Sequence, residues 1–313
     1  MPAATDIADE ATLGRLLRSA TLELRGAGVD AAGNDARRLF AWALGLSAAQ
    51  VLSQPERLLS SEEIERLRCA VARRGKREPV SRIIGARDFY GKNFAISPAT
   101  LDPRPDSETL IETALDLARR EGWHTKPIRI LDVGTGSGCL LLTLLCELPK
   151  AVGVGSDISV AALKIARENA LALGIGDRAQ WLARDALEGT KDHFDILVSN
   201  PPYVRTDDIA ALEPEVRRFD PWSALDGGED GLRFFHRLAP AIRAAVPDGW
   251  AILEVGHTQA RAVADLLLAN AIGVAPGDLE LRHDAMGVRR CVAGRTRIEH
   301  MPTKALGFFR QPG

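Results

Sequence analysis

The chain has 313 residues, 46% of them hydrophobic and 26% charged, with a formal net charge of -2. That length exceeds what one hydrophobic core usually organises, so a main domain plus a smaller one is expected. The near-neutral balance supplies no global attraction to nucleic acid or an anionic membrane, and no apolar run is long enough to span a bilayer.

Residues 1–12 carry Asp6, Asp9 and Glu10 without an apolar stretch, which argues against a secretory signal or transit peptide. Residues 10–77 read as helical. Leu13, Leu16 and Leu17, then Leu39, Phe40, Ala43 and Leu44, recur at helical spacing, and Ser60-Ser61-Glu62-Glu63 is a capping box opening a helix over 64–72. Arg73, Arg74, Lys76 and Arg77 form a basic run, expected to be a solvated helix face, with a nucleic-acid or ribosome contact as the alternative. Residues 89–96 place apolar and aromatic positions on either side of Gly91-Lys92, the pattern of a hairpin, and a proline-punctuated stretch follows to Pro105.

From Ile128 the pattern alternates. Strands are expected over 128–133, 152–156, 180–183, 194–199 and 250–255, and helices over 137–148, 160–173 and up to about Ala245, with a proline-rich insertion over 201–231. Such alternation implies an α/β fold, a parallel sheet covered by helices on both faces. Residues 279–292 read as two antiparallel strands joined near Met286-Gly287, and the tail over 296–313 has no clear period. Cys69, Cys139, Cys146 and Cys291 show no C-x-x-C or zinc spacing. They are read as reduced core residues of a cytoplasmic protein, and no metal site is expected.

Two motifs carry chemistry. Asp132-Val133-Gly134-Thr135-Gly136-Ser137-Gly138 closes the first strand of the alternating region, where glycines let the backbone turn tightly against a nucleotide-like cofactor. The spacing is G-x-G-x-G, not the dinucleotide G-x-G-x-x-G, which favours S-adenosylmethionine over NAD. Asp157 ends the next strand, placed to accept both ribose hydroxyls, and Asp185 after the third is a candidate for the adenine amino group; an N-cap role is the alternative for each.

Asn200-Pro201-Pro202-Tyr203 follows the strand Ile196-Leu197-Val198, at the carboxyl end of a strand, where open α/β sheets place ligands. The Asn200 side-chain carbonyl and the Pro201 carbonyl can accept both protons of an NH2 group, while Tyr203 stacks on the planar group. A planar amide or amine nitrogen is therefore the expected methyl acceptor. The loop holds no obvious base, so direct in-line transfer through positioning is expected. His257 is a further candidate base, although a surface role is the expectation.

These residues resemble the HemK/PrmC-type protein N5-glutamine methyltransferases that act on peptide chain release factors. The likeness runs from about Arg73 to Arg295, through Arg77-Glu78-Pro79-Val80, Phe89-Tyr90-Gly91, Pro103-Arg104-Pro105-Asp106-Ser107-Glu108, the glycine turn, Asn200-Pro201-Pro202-Tyr203, the segment from Ala224 to Leu232, and Leu253-Glu254-Val255-Gly256-His257. It implies a Rossmann-like class I methyltransferase fold, with a mixed seven-stranded sheet, helices on both faces and a small all-helical N-terminal domain. It divides the chain into a substrate-recognition domain over 1–84, a hairpin and linker over 85–108, a catalytic domain over 109–295 and a flexible tail over 296–313. By likeness Gly134, Thr135, Gly136, Ser137, Gly138, Asp157, Asp185, Ala186 and Asn200 hold S-adenosylmethionine. Asn200, Pro201, Pro202 and Tyr203 hold the glutamine of a Gly-Gly-Gln loop in class 1 release factors, with no stable nucleic-acid partner and no membrane. Three departures stand out: Ala186 replaces a tryptophan found in some members, Asp102 occupies a usually aliphatic position, and the tail after Arg295 runs past the family's usual end. A ribosomal-protein glutamine methyltransferase, a DNA adenine N6-methyltransferase and a non-catalytic scaffold are the alternatives. The Pro103 to Glu108 segment favours the release-factor branch over the ribosomal one.

Overall fold

A computed structural model of the protein describes residues 12–188, 192–270 and 278–297. The described residues open with four helices, α1 (Leu13–Gly26), α2 (Ala32–Leu44), α3 (Ala48–Ser53) and α4 (Ser61–Gly75). Leu13, Leu24, Ala36, Phe40, Leu67 and Val71 from their apolar stripes make a separate core. The expected capping box opens α4: Ser60 Oγ accepts from the Glu63 amide at 3.2 Å, and the Glu63 carboxylate accepts from the Ser60 amide at 2.9 Å.

The basic run is not the solvated face expected of it. Arg74 is buried and donates to Asp35 at 2.8 Å and to Glu215 at 2.9 Å, Arg77 reaches Glu215 at 2.6 Å, and Arg73 closes on Glu78 at 2.5 Å. Only Lys76 points outward unengaged by these pairs. Glu215 arrives from 138 residues beyond Arg77, a contact that local charge patterning does not reveal. Cys69 also departs from expectation, being exposed on α4, whereas Cys139 and Cys146 are half-buried and Cys291 is buried; all four are free thiols.

A short helix α5 (Val80–Ile84) leads to the hairpin β1 (Ala86–Phe89) and β2 (Lys92–Ala95); the hairpin is there as expected, but it starts earlier and turns at Tyr90-Gly91, one residue before the expected Gly91-Lys92. Its Phe89 and Phe94 rings meet edge-on at 6.3 Å between centroids and join the core beneath the sheet. The hairpin is pinned by Asn169, whose amide accepts from the Ala95 amide at 2.8 Å and donates to the Ala95 carbonyl at 3.0 Å. A third bond runs from Asn169 to the Ser137 carbonyl at 2.8 Å, tying the hairpin to the glycine turn.

Then come α6 (Glu108–Arg120), β3 (Arg129–Val133), α7 (Cys139–Glu147), β4 (Val152–Asp157), α8 (Val160–Ala172), β5 (Ala179–Ala183), β6 (Ile196–Ser199), α9 (Pro214–Phe219), α10 (Arg233–Ala245), β7 (Gly249–Glu254), α11 (Ala260–Asn270), β8 (Leu279–His283) and β9 (Arg289–Thr296). The seven strands lie in the order β5-β4-β3-β6-β7-β9-β8, parallel throughout except β9, which runs antiparallel between β7 and β8. The mixed sheet is thus parallel where the sequence alternates and antiparallel where it reads as a terminal hairpin. Along β3, Ile130 faces the core under α6 and α7 while Leu131 and Val133 face the core under α10 and α11, so the strand is apolar on both sides. Helices α6, α9 and α11 were not expected from the sequence, although Leu110, Ile111, Ala114, Leu117 and Ala118 of α6 do repeat at helical spacing. Thr296, where the tail was expected to start, is the buried last residue of β9, and residues 298–313 lie outside the described ones. No helix among the described residues is long and apolar enough to cross a membrane.

Candidate active site

The carboxyl ends of β3, β4, β5 and β6 open on one cavity of about 390 Å³, closed on its other side by the linker and the 201–231 insertion. The order of the strands explains its position. The chain leaves β3 toward β4 and β5 on one side and reaches β6 and β7 on the other, so the crevice forms where those directions part.

The turn after β3 adopts backbone that favours glycine, with φ of 74° at Gly134, 56° at Gly136 and 79° at Gly138. Gly134, Thr135, Gly136 and Ser137 line the cavity; Gly138 instead backs onto Trp181, Ala166 and Leu142 and caps α7. Beneath the turn, Asp132 is fully buried and accepts from Thr135 Oγ1 at 2.6 Å; desolvation pushes its carboxyl up to about 7.

Asp157 does not cap α8, because Ser159 does so by accepting from the Ala162 amide at 3.1 Å. The two Asp157 oxygens accept instead from the Gly136 and Ser159 amides, each at 2.9 Å. One bond per oxygen leaves acceptor capacity facing the cavity. Asp185 also lines it and pairs with Arg237 at 2.7 Å. Ala186 beside it is buried with φ of 47°, a strained conformation for a residue with a Cβ.

Asn200 and Pro202 face the cavity, whereas Pro201 and Tyr203 are not among its lining residues. Asn200 Nδ2 donates to Ser107 Oγ at 3.0 Å, so its Oδ1 is left as the unengaged acceptor. Tyr203 packs its ring against the core under α10 and donates its hydroxyl to Glu254 Oε1 at 3.1 Å. Burial raises the Glu254 carboxyl to about 7, against the lowering effect of the Ser107 and Tyr203 hydroxyls, and burial also raises Tyr203. His257, two residues past Val255, is exposed and does not line the cavity.

Several lining groups escaped the sequence reading. Leu101, Pro103 and Ser107 come from the linker, Trp222 from the insertion and Phe234 from α10. The insertion is clamped from below. Asp220, buried, receives Arg82 at 2.7 Å together with Arg104 and the Asp102 amide, and Asp102 in turn accepts from Ser81 at 2.5 Å. The aliphatic position filled by Asp102 is therefore part of a polar network. Runs of arginine and of acidic residues carry no local mark of such pairing, so nothing in the sequence singled it out.

The cavity suits an adenosine-bearing sulfonium. It is large enough for a cofactor-sized molecule, presents a carboxylate with spare acceptors at the end of β4, and meets its ligand with glycine backbone. The sheet, that turn and the Asn-Pro-Pro-Tyr loop define a class I S-adenosylmethionine-dependent methyltransferase. Residues 15–85 match the family model described as PrmC N-terminal domain and residues 109–213 the one described as Methyltransferase small domain. The release factor glutamine methyltransferase of Rhodospirillum rubrum is 46% identical over 286 residues, 91% of this chain and 85% of its own length. That of Bradyrhizobium diazoefficiens is 44% identical over 89% of this chain and 93% of its own. The chain belongs to the release factor glutamine methyltransferase family. Among solved structures, the hMettl16 catalytic domain in complex with MAT2A 3'UTR hairpin 6 aligns over 75% of this chain and 81% of that chain at TM-score 0.51 and 14% identity, a likeness of fold alone.

Proposed function

We propose that this enzyme methylates the side-chain amide nitrogen of the glutamine in the Gly-Gly-Gln loop of class 1 peptide chain release factors, acting in the cytoplasm beside the translation machinery. The observation that carries the reading is the fixed Asn200 amide, turned by Ser107 so that an acceptor faces the cavity beside the glycine turn. In this reading Gly134, Thr135, Gly136, Ser137, Asp157, Asp185, Ala186 and Asn200 hold the cofactor, while Gly138 shapes the turn from behind. Asn200, Pro201, Pro202 and Tyr203 hold the glutamine, and the helices of residues 13–75 help to seat the release factor.

S-Adenosylmethionine supplies an electrophilic methyl group. Asn200 Oδ1 and the Pro201 carbonyl accept the two amide protons, which draws density toward the nitrogen and fixes the direction of its lone pair. Tyr203 shapes the loop through its bond to Glu254. Cys139, a cavity-lining thiol, has its pKa pushed up to about 12 by burial, so it stays neutral and offers no covalent detour. Direct transfer to the glutamine nitrogen is the route these side chains support, the nitrogen giving up one of its two protons during or after the transfer.

The test is incubation with labelled S-adenosylmethionine and a purified release factor, either wild type or with its Gly-Gly-Gln glutamine replaced. Label is expected on the wild-type factor alone; equal labelling of both, or of neither, removes the reading. Asn200→Ala is expected to cut turnover by roughly 100-fold while leaving release-factor binding close to wild type.

A further inference from the structure

We propose that Glu254 and Ser107 are positioning residues for methyl transfer, a buried pair whose hydrogen-bond direction decides whether Asn200 offers its carbonyl or its amino group to the substrate nitrogen. The inference rests on the reading of Asn200 as a substrate acceptor.

The geometry is a chain of four side chains drawn from three parts of the molecule. Glu254 ends β7, next to β6 in the sheet, and the residue is 1% exposed. Oε1 receives the Tyr203 hydroxyl, while Oε2 is buried with no hydrogen-bond partner. Ser107, 3% exposed, lines the cavity, where its oxygen accepts from Asn200 Nδ2; it also lies near enough to Glu254 to lower that carboxyl's pKa, although the two form no direct hydrogen bond in this arrangement. A buried carboxylate oxygen without a donor is costly, and the Ser107 proton is the donor left over once its oxygen has accepted from Asn200.

An ionised Glu254 can only accept. It therefore takes the Ser107 proton, Ser107 can then only accept from Asn200, and the Asn200 carbonyl is forced toward the cavity. A protonated Glu254 can donate to Ser107, whose own proton is then free to meet the Asn200 carbonyl. That arrangement turns the Asn200 NH2 toward the cavity, where it confronts the NH2 of the substrate with two donors and no acceptor. The switch is local, because a rotation of the Asn200 amide exchanges its two ends without moving the backbone.

The surroundings of Glu254 set where it titrates. Arg290 on β9 lowers its pKa and is itself paired with Asp106 at 3.0 Å and Asp284 at 3.0 Å; the Asp106 carboxylate raises it. Cys139 on α7 and Cys291 on β9 both feel the Glu254 charge and have their thiols pushed up to about 12, so neither carries charge near neutrality. Burial is the largest influence and brings the carboxyl to about 7. The productive arrangement is thus present above that pH and fades below it.

The experiment combines a pH profile with a substrate-free readout. In wild type, kcat/KM for release-factor methylation is expected to fall tenfold per pH unit below about 7. Glu254→Gln, which keeps a donor beside Ser107 at every pH, is expected to lose roughly 100-fold in kcat/KM and to lose the acid limb, with S-adenosylmethionine affinity measured by calorimetry unchanged. Ser107→Ala is expected to behave likewise, and Ser107→Thr to restore most of the rate. Independently of any substrate, the Asn200 side-chain amide resonance, assigned by its loss in Asn200→Ala, is expected to shift with a midpoint near pH 7 in wild type and to stay fixed in Glu254→Gln. A pH-independent Asn200 resonance in wild type, or a Glu254→Gln enzyme with wild-type kcat/KM and acid limb, overturns the inference. A shifting resonance in an enzyme that labels no glutamine leaves the pair standing and removes the substrate reading instead.

Discussion

Asp157 illustrates how much a single side chain settles at the residue scale. Sequence position alone left it between cap and ligand, and the structure frees it from capping because Ser159 performs that task. Its oxygens steady the glycine turn through the Gly136 amide and still present acceptors to the cavity. Asp157→Asn keeps the size but exchanges one acceptor for donors, so it should both loosen the turn and mismatch the ribose. S-Adenosylmethionine binding by calorimetry is expected to weaken by roughly 10- to 100-fold, about 1.4 to 2.7 kcal/mol, with the melting temperature little changed. Unaltered affinity would return Asp157 to a purely structural role. Ser107 and Glu254 carry the opposite lesson, since both stand in the resembling segments without any local feature announcing what they touch.

At the scale of elements, the loop after β6 is shaped by the segment that folds over it. Val204 pairs with Asp226 in an isolated parallel bridge, and the Gly227 amide donates to the Val204 carbonyl at 2.7 Å. Gln259, at the head of α11, donates to the Tyr203 carbonyl at 2.9 Å. Gly231 sits against this join with φ of 76°, where an added Cβ would lie 2.5 Å from the Tyr203 carbonyl oxygen. Backbone cannot yield there as a flexible side chain would. Gly231→Ala should therefore shift the Asn-Pro-Pro-Tyr loop, lowering kcat by at least tenfold and stability by about 2 kcal/mol, read from steady-state rates and thermal unfolding. A wild-type kcat in that variant would show that the overlying segment does not shape the site.

The whole molecule is joined by charge as well as by sheet. Helix α4 and the turn after it meet the catalytic insertion through Arg74 and Arg77 on Glu215, while α5 and the linker meet it through Arg82 and Arg104 on Asp220. Asp220 and Arg82 are both nearly inaccessible, so removing the carboxylate strands a buried guanidinium that retains only the Ser97 and Thr100 carbonyls. Asp220→Ala is expected to cost about 3 kcal/mol of unfolding free energy in denaturant titration. It is also expected to raise KM for the release factor, because Pro221, Trp222, Ser223 and Ala224 beside it form one wall of the cavity. Loss of stability with unchanged kinetics would mean that the clamp serves folding alone.

The alternation of strands and helices, the capping box, the hairpin, the glycine turn and the placement of Asn200 at a strand end were all legible in the chain itself. Each is a local pattern, set by hydrophobic period or by residues that permit or fix a backbone angle. Helix α6 carries the same helical repeat in Leu110, Ile111, Ala114, Leu117 and Ala118, directly after the prolines that punctuate the linker. Tertiary structure alone decided which polar groups meet. Ser107 and Asn200 are 93 residues apart, Tyr203 and Glu254 51, and Arg82 and Asp220 138. Such pairs depend on the order of strands in the sheet and on which loops that order stacks over one crevice, and no periodicity encodes it. The same sequence that declares a methyl-transfer site by its motifs therefore leaves to the fold the buried carboxyl that orients it.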